Sequence, residues 1–202
     1  MRCSSTVDVK VGVLALQGDV SEHIDAFQLA LKRRNAGSRA SVVEVRNPTD
    51  LVGCKALAIP GGESTTISRL IDKNHLYEPI RNFSGGIFAT CAGMVLAATR
   101  VDDPRIHPLG IIGMSVDRNA FGRQKESFEA DIIIGGVDSK PFHAIFIRAP
   151  VATTVEEDVH VLARVERGIV AVEKKKHMAL AFHPELGGDT RLHERFLDTC
   201  GC

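Results

Sequence analysis

The sequence predicts an α/β fold, with a doubly wound, mostly parallel sheet covered by helices on both faces. Three observations carry that prediction. Short apolar runs rich in valine alternate with helix-length amphipathic segments over about the first 100 residues, the order of βαβ units. Turn signals of Gly, Pro, Asn and Asp separate these runs. The second half changes to short runs parted by turns, which suggests antiparallel strands added to the same sheet. At 202 residues the chain fits one domain spanning 1–202, with residues 1–8 as a flexible N-terminal extension.

Val9 to Leu16 reads as a buried strand, and Gln17-Gly18-Asp19 as the turn after it. A helix follows with Val20, Ile24, Phe27 and Leu31 at near-helical spacing, ended by Asn35-Ala36-Gly37-Ser38. Ser41 to Arg46 is a second strand, closed by Asn47-Pro48-Thr49-Asp50. Lys55 to Ile59 is a third, stopped by Pro60-Gly61-Gly62. Glu63-Ser64-Thr65-Thr66 opens a helix carrying Ile67, Leu70 and Ile71, with Ser64 or Thr65 as its N-cap. Ile87 to Thr90 is β-type sequence, and Met94 to Ala98 is helix-compatible. Beyond it, Ile111 to Val116, Phe128 to Ile134, Ala144 to Ile147, Val159 to Val165, Ile169 to Glu173 and Ala179 to Phe182 read as strands. A last helix runs from Thr190 to Thr199 with Leu192, Phe196 and Leu197 inward.

Composition removes several function classes. The 25 basic and 25 acidic residues cancel, so nothing electrostatic favours nucleic acid or an anionic membrane. Aromatics are sparse and Trp is absent, which argues against a base-stacking surface. The five cysteines lack metal-ligand spacing, and their odd number in a long chain does not suit a disulfide framework, so a reducing cytoplasm is expected. Cys200-Gly201-Cys202 reads as a frayed tail. The N-terminus shows no apolar signal core, and Val11 to Leu16 is too short to span a bilayer.

Cys91 is the candidate nucleophile. It lies in Ile87-Phe88-Ala89-Thr90-Cys91-Ala92-Gly93-Met94, where a strand gives way to a helix through small residues. That is the setting of a nucleophile elbow, with Ala89 and Gly93 small enough to let the backbone bend. The N–H of Ala92 then points to where an oxyanion would form. A cysteine in an apolar run is equally the ordinary buried thiol, so a base must be found elsewhere.

His183 supplies one. It sits in Ala181-Phe182-His183-Pro184-Glu185, and side chains two apart in an extended segment point the same way. Pro184 fixes φ between them. A carboxylate beside an imidazole sets its tautomer, and an imidazolium beside a thiol favours the thiolate. The rival reading is a His-Pro-Glu turn facing solvent. In a doubly wound sheet the carboxyl ends of strands gather a ligand site. Gln17-Gly18, Pro60 to Ser64 and Thr90 to Gly93 should therefore meet. Pro60 to Glu63 offers a second oxyanion donor, but also fits a plain strand-to-helix turn. It is not a phosphate loop, because the lysine and spacing are missing. Arg118 and Arg148 are candidates for gripping a carboxylate, or simply surface ion-pair residues.

Taken in order, P-G-G-E-S, T-C-A-G and F-H-P-E resemble the class I, triad-type glutamine amidotransferases, whose fold is flavodoxin-like. L-A-L-Q-G-D-V-S-E-H, P-G-G-E-S-T-T-I, F-A-T-C-A-G, R-N-A-F-G-R-Q-K-E-S-F-E-A-D, F-I-R-A-P and A-F-H-P-E-L further resemble the glutaminase subunits of pyridoxal 5′-phosphate synthase. This resemblance covers about residues 9 to 199. It implies a triad of Cys91, His183 and Glu185, and glutamine held at Gly62, Glu63, Ser64, Arg118, Ile147 and Arg148. Gly62 and Ala92 are the expected oxyanion donors. The implied reaction hydrolyses L-glutamine to L-glutamate and ammonia, with neither metal nor organic cofactor. The implied partner is a (β/α)₈-barrel synthase subunit, twelve of each chain per complex, with Gln17 near the contact. Departures are Ala89 where that family usually has Gly, a short loop at Asn82 to Gly86, and the glycine-rich Leu186-Gly187-Gly188-Asp189. Two other readings remain: a different Cys-His hydrolase on the same fold, and a non-catalytic interaction subunit.

Overall fold

The computed structural model describes residues 9–34, 40–120 and 127–202. The expected N-terminal extension at 1–8, the turn at 35–38 and the 121–124 part of R-N-A-F-G-R-Q lie outside the described residues.

The first half follows the expected alternation. Strand β1 (Val9–Leu14) leads to α1 (Val20–Arg33), β2 (Ala40–Val45), a 3-10 turn at Pro48–Leu51 and β3 (Ala56–Ile59). Then come α2 (Ser64–Lys73), α3 (Tyr77–Arg81), β4 (Gly86–Thr90) and α4 (Ala92–Ala97). The second half holds β5 (Ala98–Val101), β6 (Ile112–Asp117), β7 (Ser127–Ile132), β8 (Phe142–Ile147), β9 (Val151–Val155), β10 (His160–Val165), β11 (Gly168–Lys174), β12 (His177–Leu180) and α5 (Arg191–Thr199).

The main sheet runs β2-β1-β3-β4-β12-β11-β9-β6-β5, with β10 paired to β11 and a separate β7–β8 ribbon. Pairing is parallel from β2 through β12 and again between β5 and β6. It is antiparallel at β12–β11, β11–β9, β9–β6, β10–β11 and β7–β8. The parallel half is thus the strand–helix half of the sequence plus β12, and the added strands are antiparallel. From β1 the chain crosses to β2 on one side and continues through β3 and β4 on the other. That reversal is the topological switch point at which α/β sheets hold ligands.

Helices cover both faces of the parallel half. α1 packs on β1, β2 and α5, and α2 packs on α4. The parallel strands are buried to the last side chain in β3 and β4, which explains their unbroken apolar runs. The core includes Phe27, Phe88, Phe146, Phe182 and Phe196, all essentially inaccessible to solvent.

Three elements escaped the sequence reading. α3 contains Pro79, which looks like a breaker, yet Pro79 falls in the first turn, where N–H groups have no intrahelical partner to lose. β5 starts directly after α4 with no turn residue between them. β9 begins at Val151, immediately behind Pro150, and its Val-Ala-Thr-Thr-Val sequence is strand-like in hindsight. The N-cap of α2 is Glu63 rather than Ser64 or Thr65: its carboxylate accepts from the N–H and hydroxyl of Thr65. The C-terminal tail is not frayed. Arg34 donates to the Cys202 carbonyl at 2.8 Å, and the Cys202 N–H donates to Leu197 O at 2.9 Å. Among the described residues no helix is long and apolar enough to cross a membrane.

Candidate active site

Cys91 follows β4 directly, with φ 48° and ψ −105°, a backbone conformation that L-residues adopt only under constraint. The constraint comes from both sides. Its N–H donates to Leu180 O at 2.8 Å, extending the β4–β12 pairing to the bend itself. Behind it α4 starts at once and presses against β3, so closely that a Cβ on Gly93 would run into the Ile59 carbonyl. Ala89, the departure at the elbow, is buried mid-strand opposite Ile59 and Ala179 and takes no part in the bend.

The expected partners of Cys91 come together, though not by the expected geometry. β12 stops at Leu180, two residues earlier than expected, so His183 to Leu186 is a turn and not an extended segment. The Leu186 N–H closes it onto His183 O at 3.3 Å, with Pro184 at the turn position its fixed φ suits. The His183 N–H donates to Ile145 O at 2.9 Å, tying the turn to β8. Within it Nδ1 of His183 lies 2.7 Å from Oε1 of Glu185, and both side chains are buried. With Nδ1 committed to carboxylate, Nε2 is the nitrogen left to serve the neighbouring Cys91 thiol. Burial works against a charged imidazole here. The neighbouring Asp19, Cys91 and Glu185 outweigh it and push the pKa of His183 up to about 12.

A cavity of about 370 Å³ opens beside the thiol. It is lined by Gly62, Glu63 and Ser64 from the loop after β3, by Cys91, Ala92 and Val95, by Arg118 and Asn119 after β6, and by Ile147 to Pro150 after β8. The Cys91 thiol donates to Ile147 O at 3.7 Å. Arg118 is held by two carboxylates, at 2.6 Å from Asp103 and 3.2 Å from Glu63. Arg148 takes φ 46° at the end of β8, a second constrained residue on the cavity wall.

The profile of the SNO glutamine amidotransferase family matches residues 13–201. A pyridoxal 5′-phosphate synthase subunit PdxT of Methanoregula boonei is 70% identical over 193 residues, covering 96% of this chain and 100% of that protein. The subunit of the same name from Methanosphaerula palustris is 63% identical, covering 96% of this chain and 99% of that one. A crystal structure of a glutamine amidotransferase superimposes with a TM-score of 0.83 at 45% identity, covering 95% of this chain and 99% of the other. The chain belongs to the SNO glutamine amidotransferase family.

Every residue marked out in the sequence as a substrate contact lines this amidotransferase's cavity: Gly62, Glu63, Ser64, Arg118, Ile147 and Arg148. Both expected oxyanion donors, Gly62 and Ala92, line it too. The neighbouring Glu63 N–H is already used, donating to Oε1 of Gln17 at 2.9 Å. Gln17 is half-buried and reaches inward to the loop after β3. Asp19, His183 and Glu185 bring ligand-type atoms within 4.8 Å of one another, but a protonated Nδ1 has no lone pair for a metal. The sequence reading missed the groups that brace the site. Asp103 anchors Arg118, and its own carboxyl is held well below the usual range by Arg105 first and by Arg118 besides. Buried His23 on α1 contacts Thr90 at 2.9 Å and lies 3.5 Å from Glu185. Its position in Glu22-His23-Ile24 looks like an ordinary helix residue, so only its inward register beside Phe27 could have marked it.

Proposed function

We propose that this chain is the glutaminase subunit of a pyridoxal 5′-phosphate synthase, with Cys91, His183 and Glu185 as its catalytic triad. One observation supports this above the rest. A cysteine on a constrained strand-to-helix bend lines a cavity of amino-acid size, and beside it stands a histidine whose Nδ1 is 2.7 Å from a buried carboxylate.

L-Glutamine enters with its side-chain amide toward Cys91 and its α-carboxylate toward Arg118 and Arg148. The thiolate attacks the amide carbon, and the N–H groups of Gly62 and Ala92 stabilise the oxyanion. His183 gives its Nε2 proton to the departing ammonia, leaving a thioester on Cys91. Water then gives a proton to His183 and attacks the thioester, releasing L-glutamate and regenerating the thiolate. Glu185 keeps the imidazole in the tautomer and orientation both steps need. No bond made or broken in this sequence calls for a metal or an organic cofactor.

The ammonia passes to a partner synthase subunit, a (β/α)₈ barrel, in a cytoplasmic complex of twelve chains of each kind, with Gln17 beside the contact. The test is transfer of isotope. With amide-labelled glutamine, the chain plus the synthase subunit and its sugar phosphates should place the label in pyridoxal 5′-phosphate. Labelled free ammonia without labelled product would leave a glutaminase but remove the synthase assignment.

A further inference from the structure

Asp19 occupies the N-cap of α1, where an aspartate ordinarily accepts from the N–H of the second or third helical residue and adds about 1 kcal/mol. Its side chain makes no such bond. Instead its Oδ2 lies 3.3 Å from Nδ1 of His183, the same nitrogen that faces Glu185. Backbone contacts hold it there: the Asp19 N–H donates to Gly61 O at 3.3 Å, and Asp19 O accepts from the His23 N–H at 3.2 Å. Gly61 leaves the room, since a Cβ on it would meet Asp19 Oδ2 at 2.8 Å and would run into the His183 ring.

We propose that Asp19 is a positioning residue, a second carboxylate that shares Nδ1 of His183 with Glu185 and keeps the imidazole charged from the solvent side. The two carboxylates differ in setting. The Glu185 side chain is fully buried, and its Oε2 has no hydrogen-bond partner. The Asp19 side chain is 36% exposed. A buried carboxylate fixes orientation well but adds its own desolvation to that of the imidazolium. A partly exposed one adds negative charge at a smaller desolvation penalty. Consistent with this, the contact with His183 holds the Asp19 carboxyl below its usual range. The other groups facing His183 are Cys91 from the β4–α4 bend and His23 from α1. Burial lowers the pKa of His23, so it stays neutral and does not compete.

The inference concerns the triad and rests on the glutaminase reading only for its kinetic arm. Asn is as good an N-cap as Asp, so Asp19→Asn separates a helix-capping role from a charge on His183. In histidine-ring NMR titrations of the isolated chain, Cys91→Ala/Asp19→Asn should show the His183 midpoint about one pH unit or more below that of Cys91→Ala. In the assembled enzyme, Asp19→Asn should move the basic limb of kcat/KM for glutamine to lower pH. An unchanged His183 midpoint would overturn the proposal, and so would a kcat/KM profile superimposable on the wild type. If the wild-type assembly did not hydrolyse glutamine, the glutaminase reading would fall, and the NMR titration would still decide the role of Asp19.

Discussion

At Cys91 the chain accepts a backbone conformation that side chains with a Cβ disfavour, in order to point one sulfur into a cavity. Such positions cost on the order of 1–3 kcal/mol each. Cys91→Gly should therefore be more stable than Cys91→Ala by about 1–2 kcal/mol in denaturant unfolding, although both lack the sulfur. Equal stabilities would mean that the bend is relaxed. Glu185→Gln tests the neighbouring contact. A glutamine side chain can turn its NH₂ toward Nδ1 and favour the wrong tautomer, so kcat should fall at least about 100-fold while KM stays near its wild-type value. Unchanged turnover would make Glu185 a bystander.

Four strand ends meet at the element scale: those of β1, β3, β4 and β12. The loop after β3 is the tightest of these meetings, since Gly61 lies between Asp19 and the His183 ring. Gly61→Ala should push the imidazole off its line to Cys91 and lower kcat roughly 100-fold or more, with a native far-UV spectrum and little loss of stability. A fully active variant would show that His183 tolerates displacement. The same elements show what the sequence made legible. The parallel strands were readable because burial on both faces leaves unbroken apolar runs, and the bend was readable because only small residues fit around it. The His183–Glu185 pair was found for a reason that did not survive, since the two meet through a turn closed at Leu186. Asp19, His23 and Asp103 were invisible because their roles depend on contacts 15 or more positions away, which no local spacing encodes. β5 and β9 were lost to neighbours that masked their ends, an adjoining helix for one and Pro150 for the other.

The whole molecule carries several buried histidines that must stay neutral. His193 is inaccessible to solvent, packed edge-on against Phe27 at 4.9 Å, and neither ring nitrogen has a hydrogen-bond partner. Burial lowers its pKa to about 3 and that of half-buried His177 to about 4, and lowers that of His23 as well. Each binds a proton in the unfolded chain near pH 6.5 but not in the folded one, so the unfolded state binds more protons below that pH. Their contribution to stability is present above about pH 6.5 and is lost as pH falls toward 4 and then 3. Thermal midpoints should drop between pH 7 and pH 4.5. His193→Met, which replaces two unpartnered nitrogens with an adaptable apolar chain, should flatten that drop and raise the midpoint by a few degrees, about 2–4 °C per kcal/mol regained. A steeper acid loss in the variant would contradict this account of His193.

The fold, the bend and the cavity converge on one claim: that Cys91 opens the side-chain amide of glutamine. Glutamate release by the chain assembled with its synthase partner, compared with the Cys91→Ala variant in the same assembly, tests it most directly. The wild type should release glutamate from glutamine. The variant should bind the partner equally well and release none above background. Glutamate release that persists in Cys91→Ala would contradict the account at its centre.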